Sequence, residues 1–109
     1  MFTVEKTAPT YQIKLYVAGP IDVAKQILRG ECLREGLCVT IEPTDFIYTG
    51  GEETGYVVGL LNYPRFPGTP QQLWERAHHI AELLVGGTHQ HSVLLVAPDT
   101  TQWLSRRAQ

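Results

Sequence analysis

Residues 49–70 read TGGEETGYVVGLLNYPRFPGTP, and the order of elements in the whole chain turns on how this stretch is divided. Glycines at Gly50, Gly51 and Gly55 tolerate the positive φ that reverses a chain, so residues 50–55 are expected to be the turn of a bent hairpin. The return strand is YVVGLLNY, apolar on both faces through Tyr56, Val58 and Leu60 on one side and Val57 and Leu61 on the other. After the loop PRFPG, Thr69 suits an N-cap, Pro70 the first helical position and Gln72 the far corner of a capping box. Two strands therefore adjoin directly, and a helix follows the second.

Working upstream, YQIKLYVA at 11–18 sets Tyr11, Ile13, Leu15 and Val17 against Gln12, Lys14 and Tyr16, the period of a strand with one buried face. Gly19 and Pro20 end it. A helix is expected from about Asp22 to Gly36, with Ala24, Ile27 and Leu28 turned inward. Glu31 and Glu35 fall on that same side and are read as overhanging the sheet edge. LCVTIE at 37–42 is the next strand, interrupted by Pro43 and continued by DFIYT. Working downstream, Leu73, Ala77, Ile80 and Leu84 form the stripe of the second helix, with Trp74, Ala81 and Val85 on its flank. Gly86 and Gly87 close it. SVLLVA is the last strand, and DTTQWLSRRAQ is read as a tail with a turn at Asp99 and Trp103 and Leu104 docking.

The order β-α-β-β-α-β with right-handed crossovers is an α+β, ferredoxin-like arrangement: a four-stranded antiparallel sheet with two helices on one face. Residues 1–109 are expected to form one domain, with 1–10 an N-terminal extension and 99–109 a C-terminal tail. The second face of such a sheet is left bare. Val57, Leu61, Leu94 and Val96 would lie on it, which implies an oligomer packed through its sheets, although Gln12, Lys14 and Tyr16 make part of that face mixed.

The totals narrow the partners. A net charge of -2 lacks the basic excess that drives nucleic-acid binding, and Glu42, Asp45, Glu52 and Glu53 meet no lysine or arginine between Leu37 and Pro64. Only Arg106 and Arg107 cluster. No apolar run approaches the roughly 20 residues that cross a bilayer, and MFTVEKTAPT has no basic and apolar leader pattern, so the expectation is a cytoplasmic protein without membrane contact. Cys32 and Cys38 form no CxxC motif and are read as buried small hydrophobes.

With these elements placed, the chain resembles the CutA family, small trimeric ferredoxin-like proteins related in architecture to the PII signalling proteins. The likeness rests on REGLCVTIEP, on FIYTGGE before the hairpin and on the terminal QWL, in the family's order from about Ile13 to Leu104. No tryptophan follows Tyr48, Thr40 replaces an asparagine, and the family's histidine-proline-tyrosine segment is missing. The resemblance implies a trimer with sites between subunits. A more local likeness, LYVAGP with EETGYVVG, is similar to nucleoside 2-deoxyribosyltransferases and would make Glu53 a nucleophile with Tyr16 or Tyr48 on the sugar.

Candidate chemistry is sparse. Glu52 and Glu53 are adjacent, so on an extended chain they point to opposite sides. His89 and His91, two apart, could share a metal only with a third ligand brought from His78, Glu42 or Cys38. Gly19-Pro20 before a helix start offers amide donors to an anion, but Asp22 opposes one. Arg65 in NYPRFPG is the better anion anchor. The expectation is a non-enzymatic oligomeric protein, a CutA-like trimer, that binds a small nucleotide-derived molecule or an ion through Arg65, Tyr48, Thr44, Asp45 and Glu53, with no cofactor. The alternatives are an N-glycosidase or deoxyribosyltransferase-like enzyme using Glu53, and a small phage-type inhibitor acting through its acidic hairpin.

Overall fold

Alternation in the first strand is kept: β1, Gln12–Ala18, buries Ile13, Leu15 and Val17 and leaves Gln12 and Lys14 exposed. The structure is a computed structural model that describes residues Met1–Arg106. After β1 come α1 (Ile21–Glu35), β2 (Val39–Tyr48), β3 (Gly51–Leu61), α2 (Pro70–Gly87), β4 (Ser92–Val96) and β5 (Thr101–Ser105). The strands form one antiparallel sheet in the order β2-β3-β1-β4-β5. Among the described residues the fold is thus α+β with two helices and five strands, one strand more than the sequence suggested.

The additional strand comes from the expected tail. Ala97 donates to the Thr100 carbonyl at 2.8 Å, which reverses the chain, and Leu94 and Leu95 then pair with Trp103 and Gln102. Leu104 packs on the core while Trp103 remains 70% exposed, so the segment docks by backbone pairing as much as by side chains.

The hairpin also differs from the expectation. Its turn is the tight Thr49-Gly50, and Gly51–Gly55 is already strand, with Glu52 opposite Ile47 and Glu53 opposite Phe46. Nor does Pro43 break β2, which runs through it opposite Tyr56. Because β2 is an edge strand, a residue without an N–H can sit there without costing the ladder a bond on its open side.

Helix α2 begins as its sequence dictates. The Thr69 hydroxyl accepts from the Gln72 amide at 3.1 Å, the Gln72 side-chain oxygen accepts from the Thr69 amide at 2.9 Å, and Pro70 occupies the first turn. From there Leu73, Ala77, Ile80 and Leu84 pack on Leu15, Val58, Leu60 and Leu95, with Ala24 and Leu28 of α1 completing the core. No helix among the described residues is long and apolar enough to cross a membrane.

Candidate functional site

At the end of β1 the chain turns directly into α1, and this junction frames a cleft. Gly19 has a φ of +124°, a backbone shape that a side chain would strain, and its amide donates to the Thr54 carbonyl at 3.1 Å, carrying the β1–β3 ladder one residue past Ala18. Pro20 precedes the helix, and no side chain caps it. The amide donors of the first turn of α1 are thereby left for whatever enters the cleft.

Across from this turn stand Pro43, Thr44 and Asp45 of β2 and Thr54 and Gly55 of β3, and together with Gly19–Asp22 they enclose about 480 Å³. Gly55 is buried because nothing larger fits: a Cβ there would lie 2.6 Å from the Phe46 ring and 2.8 Å from the Ala18 Cα. Asp22 and Asp45 are both exposed, and neither has an ion-pair partner among the described residues. Two unneutralised carboxylates, the Thr54 hydroxyl and free helix amides suit a small polar molecule carrying positive charge.

Of the residues expected to bind ligand, the cleft gathers Thr44 and Asp45. Glu53 opposes Phe46, and Tyr48 opposes Gly51 with its ring over that glycine, so both lie further out along the hairpin. Side chains alternate along β2, which places Thr44, Phe46 and Tyr48 on one face and Asp45 on the other. Arg65 is exposed near the other end of β3, its guanidinium 5.6 Å from the Phe66 ring; six residues of strand from Gly55 to Leu61 amount to about 20 Å. Thr54 went unnoticed in the sequence, and Asp22 was read as a helix start and as a charge opposing an anion there, not as a ligand for a cation. The signal that would have found them is the pairing of Thr54 with Asp45, which only a correct hairpin register supplies.

His89 lies in the turn after α2 with a φ of 56°, while His91 lines a different hollow beside His78 and Glu82. The two do not meet, and no three metal-ligating side chains converge among the described residues. Cys32 is half-buried and Cys38 exposed, both free, a correction to the expectation of two buried cysteines. Burial, and then Cys38 nearby, push the Cys32 thiol up and keep it protonated. Glu31 does not overhang the sheet edge; it is buried, with Arg34 and His79 against it. Arg107 lies outside the described residues.

Two solved structures share this fold over nearly their whole length. One is a phage SAM lyase in its apo state, with a TM-score of 0.70, 13% sequence identity and coverage of 99% of this chain and 99% of that one. The other is a phage SAM lyase in complex with S-methyl-5'-thioadenosine, with a TM-score of 0.70, 13% identity and 96% coverage of each chain. No family model and no curated protein matches the chain.

These neighbours overturn the resemblances drawn from short motifs. The fold is that of the phage SAM lyases, not one identified through CutA or the deoxyribosyltransferases, and the expected non-enzymatic binding protein gives way with them. The physical reason is plain in the motifs used. An apolar strand after a helix and a glycine-rich turn after a tyrosine are what any βαββ unit produces, and they carry no information about a site.

Proposed function

We propose that this protein is a SAM lyase: it binds S-adenosylmethionine in the cleft between the start of α1 and the β2–β3 hairpin and releases S-methyl-5'-thioadenosine. The observation that carries this reading is the chain-long correspondence with a phage SAM lyase, at a TM-score of 0.70 over 99% of both chains. The charge of the cleft supports it independently. S-adenosylmethionine presents a sulfonium and an ammonium, and Asp22 and Asp45 on the two walls are carboxylates without counter-ions among the described residues. The substrate carboxylate has the free amides at the start of α1 to accept from. Thr54, on the same face as its partner Asp45, offers a hydroxyl to the ribose.

The chemistry follows from where charge goes. Breaking the bond between sulfur and the amino-acid chain returns the electron pair to sulfur, so a cation becomes a neutral thioether. The carbon fragment then takes an internal nucleophile or loses a proton, since a lyase adds no water. Positive charge at sulfur fades toward the transition state, so a carboxylate close to sulfur favours the ground state more than the transition state. Asp22 and Asp45 therefore serve binding and orientation, and rate comes from holding the reacting carbon in line while excluding water. Incubating the protein with S-adenosylmethionine and separating the products by chromatography tests the reading. S-methyl-5'-thioadenosine is the expected product, and unchanged substrate would overturn the assignment.

A second feature bears on assembly. The sheet face away from the helices carries the cross-strand row Val57, Tyr16, Leu94 and Trp103, with Trp103 70% and Leu94 36% exposed. A continuous apolar row on an otherwise open sheet supports association of copies of this chain through that face. The expected count of three came with the CutA resemblance and is not carried forward. A SAM-consuming enzyme has its substrate inside the cell, so the cytoplasm is the proposed location.

A further inference from the structure

The β2–β3 hairpin outruns the rest of the sheet. β1 stops at Ala18 opposite Gly55, and past the Gly19 amide only β2 and β3 pair, as far as Tyr48 opposite Gly51. A two-stranded ribbon with nothing packed on it is marginal in water. Its tip nevertheless carries Ile47 at 80% exposure, directly opposite Glu52, so one face of the ribbon sets an uncovered aliphatic side chain beside a carboxylate. Glu52 makes no ion pair or hydrogen bond among the described residues.

The other end of β2 carries a surface of the matching kind. An open groove of about 660 Å³ separates α1 from this edge strand, with Leu33, Cys32, Val39 and Ile41 as its apolar floor and Lys25 and Arg29 on its helical side. Leu33 is 89% exposed. Lys25 and Arg29 stand one helical turn apart, both exposed and neither ion-paired among the described residues, and no carboxylate lines the groove. The groove is thus apolar and cationic where the hairpin tip is apolar and anionic. Ile47 lies six residues beyond Ile41, about 20 Å along the strand, so a chain cannot fill its own groove with its own tip.

We propose that the hairpin tip of one copy of this chain docks in the α1–β2 groove of another, with Ile47 on Leu33, Val39 and Ile41, and Glu52 between Lys25 and Arg29. The contact joins two different surfaces, so each copy lends a hairpin and receives one, and the assembly closes into a ring where the rotation between copies allows it. Ile47 and Glu52 share the face of Asp45 and Thr54, whereas the row Val57, Tyr16, Leu94 and Trp103 lies on the opposite face of the sheet. The docking surface is therefore separate from that row, and it is independent of SAM cleavage.

Sedimentation velocity of the full chain, with an exchange of charge between the two surfaces, tests the docking. Ile47→Asp replaces the apolar anchor with a charge and is expected to weaken self-association at least about tenfold. Glu52→Lys alone, or Lys25→Glu with Arg29→Glu, sets like charges face to face and is expected to weaken it about as much. Combining the three charge substitutions in one chain makes the surfaces complementary again and is expected to recover most of the wild-type association, which a general change in surface charge would not do. All four positions are exposed, so unchanged circular dichroism and melting temperature are expected throughout. A wild-type chain that is monomeric at micromolar concentration would overturn the proposal and leave the groove to a different partner. Ile47→Asp associating like the wild type, or a charge exchange without rescue, would overturn it as well.

Discussion

Tyr56 is fully buried, and its hydroxyl has no hydrogen-bond partner among the described residues. Burial pushes its phenol above the ordinary value of 10.0; Thr88 pulls slightly the other way, but the Thr88 hydroxyl donates to the Leu84 carbonyl at 2.6 Å. Below about pH 10 the folded and unfolded chains both keep this proton, so it leaves stability unchanged. Above that value the unfolded chain ionises first, and stability falls until the pH passes the higher folded value. Tyr56→Phe is accordingly expected to leave stability at neutral pH nearly unchanged and to flatten its alkaline loss, measured by urea unfolding as a function of pH. Asp45 belongs to the same scale. Asp45→Asn removes one carboxylate from the cleft and is expected to raise KM for S-adenosylmethionine about tenfold and to raise kcat by a smaller factor, because the lost attraction is stronger in the ground state than in the transition state. Steady-state kinetics separate the two parameters. A fall in kcat alone would show that Asp45 acts on the bond-breaking step.

Single elements show why some of the chain was readable and some was not. The capping box at Thr69 is a local event among four residues, and local chemistry survives folding unchanged; Thr69→Ala is expected to cost about 1 kcal/mol in thermal or denaturant unfolding. β1 was equally legible, since its alternation names its buried face outright. The hairpin was not, because three glycines offered several places to turn and only pairing across the sheet selects Thr49-Gly50. β5 escaped for a related reason. Thr101–Ser105 holds two large apolar residues on opposite faces, Trp103 and Leu104, and it becomes a strand because β4 presents an unpaired margin to it. Glu31 fell on an apolar helix face and was read as overhanging, since its partners His79 and Arg34 meet it only after α1 and α2 pack. Thus half the cleft, Thr44 and Asp45, was nameable from the hairpin, while Asp22 and Thr54 needed the register.

On the scale of the molecule, the two helices shield one side of the sheet and the row Val57, Tyr16, Leu94 and Trp103 lies on the other. Trp103→Lys places a charge at the exposed β5 end of that row and is expected to shift the protein toward a monomer in analytical ultracentrifugation, with its circular dichroism retained. An unchanged sedimentation coefficient would mean that copies do not meet there. The strand order has a further consequence for how the protein is made. β1 lies between β3 and β4, so a chain emerging from the ribosome finds one neighbour for its first strand early and waits for the other until Ser92–Val96 appears. During that interval one flank of β1 has unmatched amides and carbonyls, an open edge on which another strand could pair.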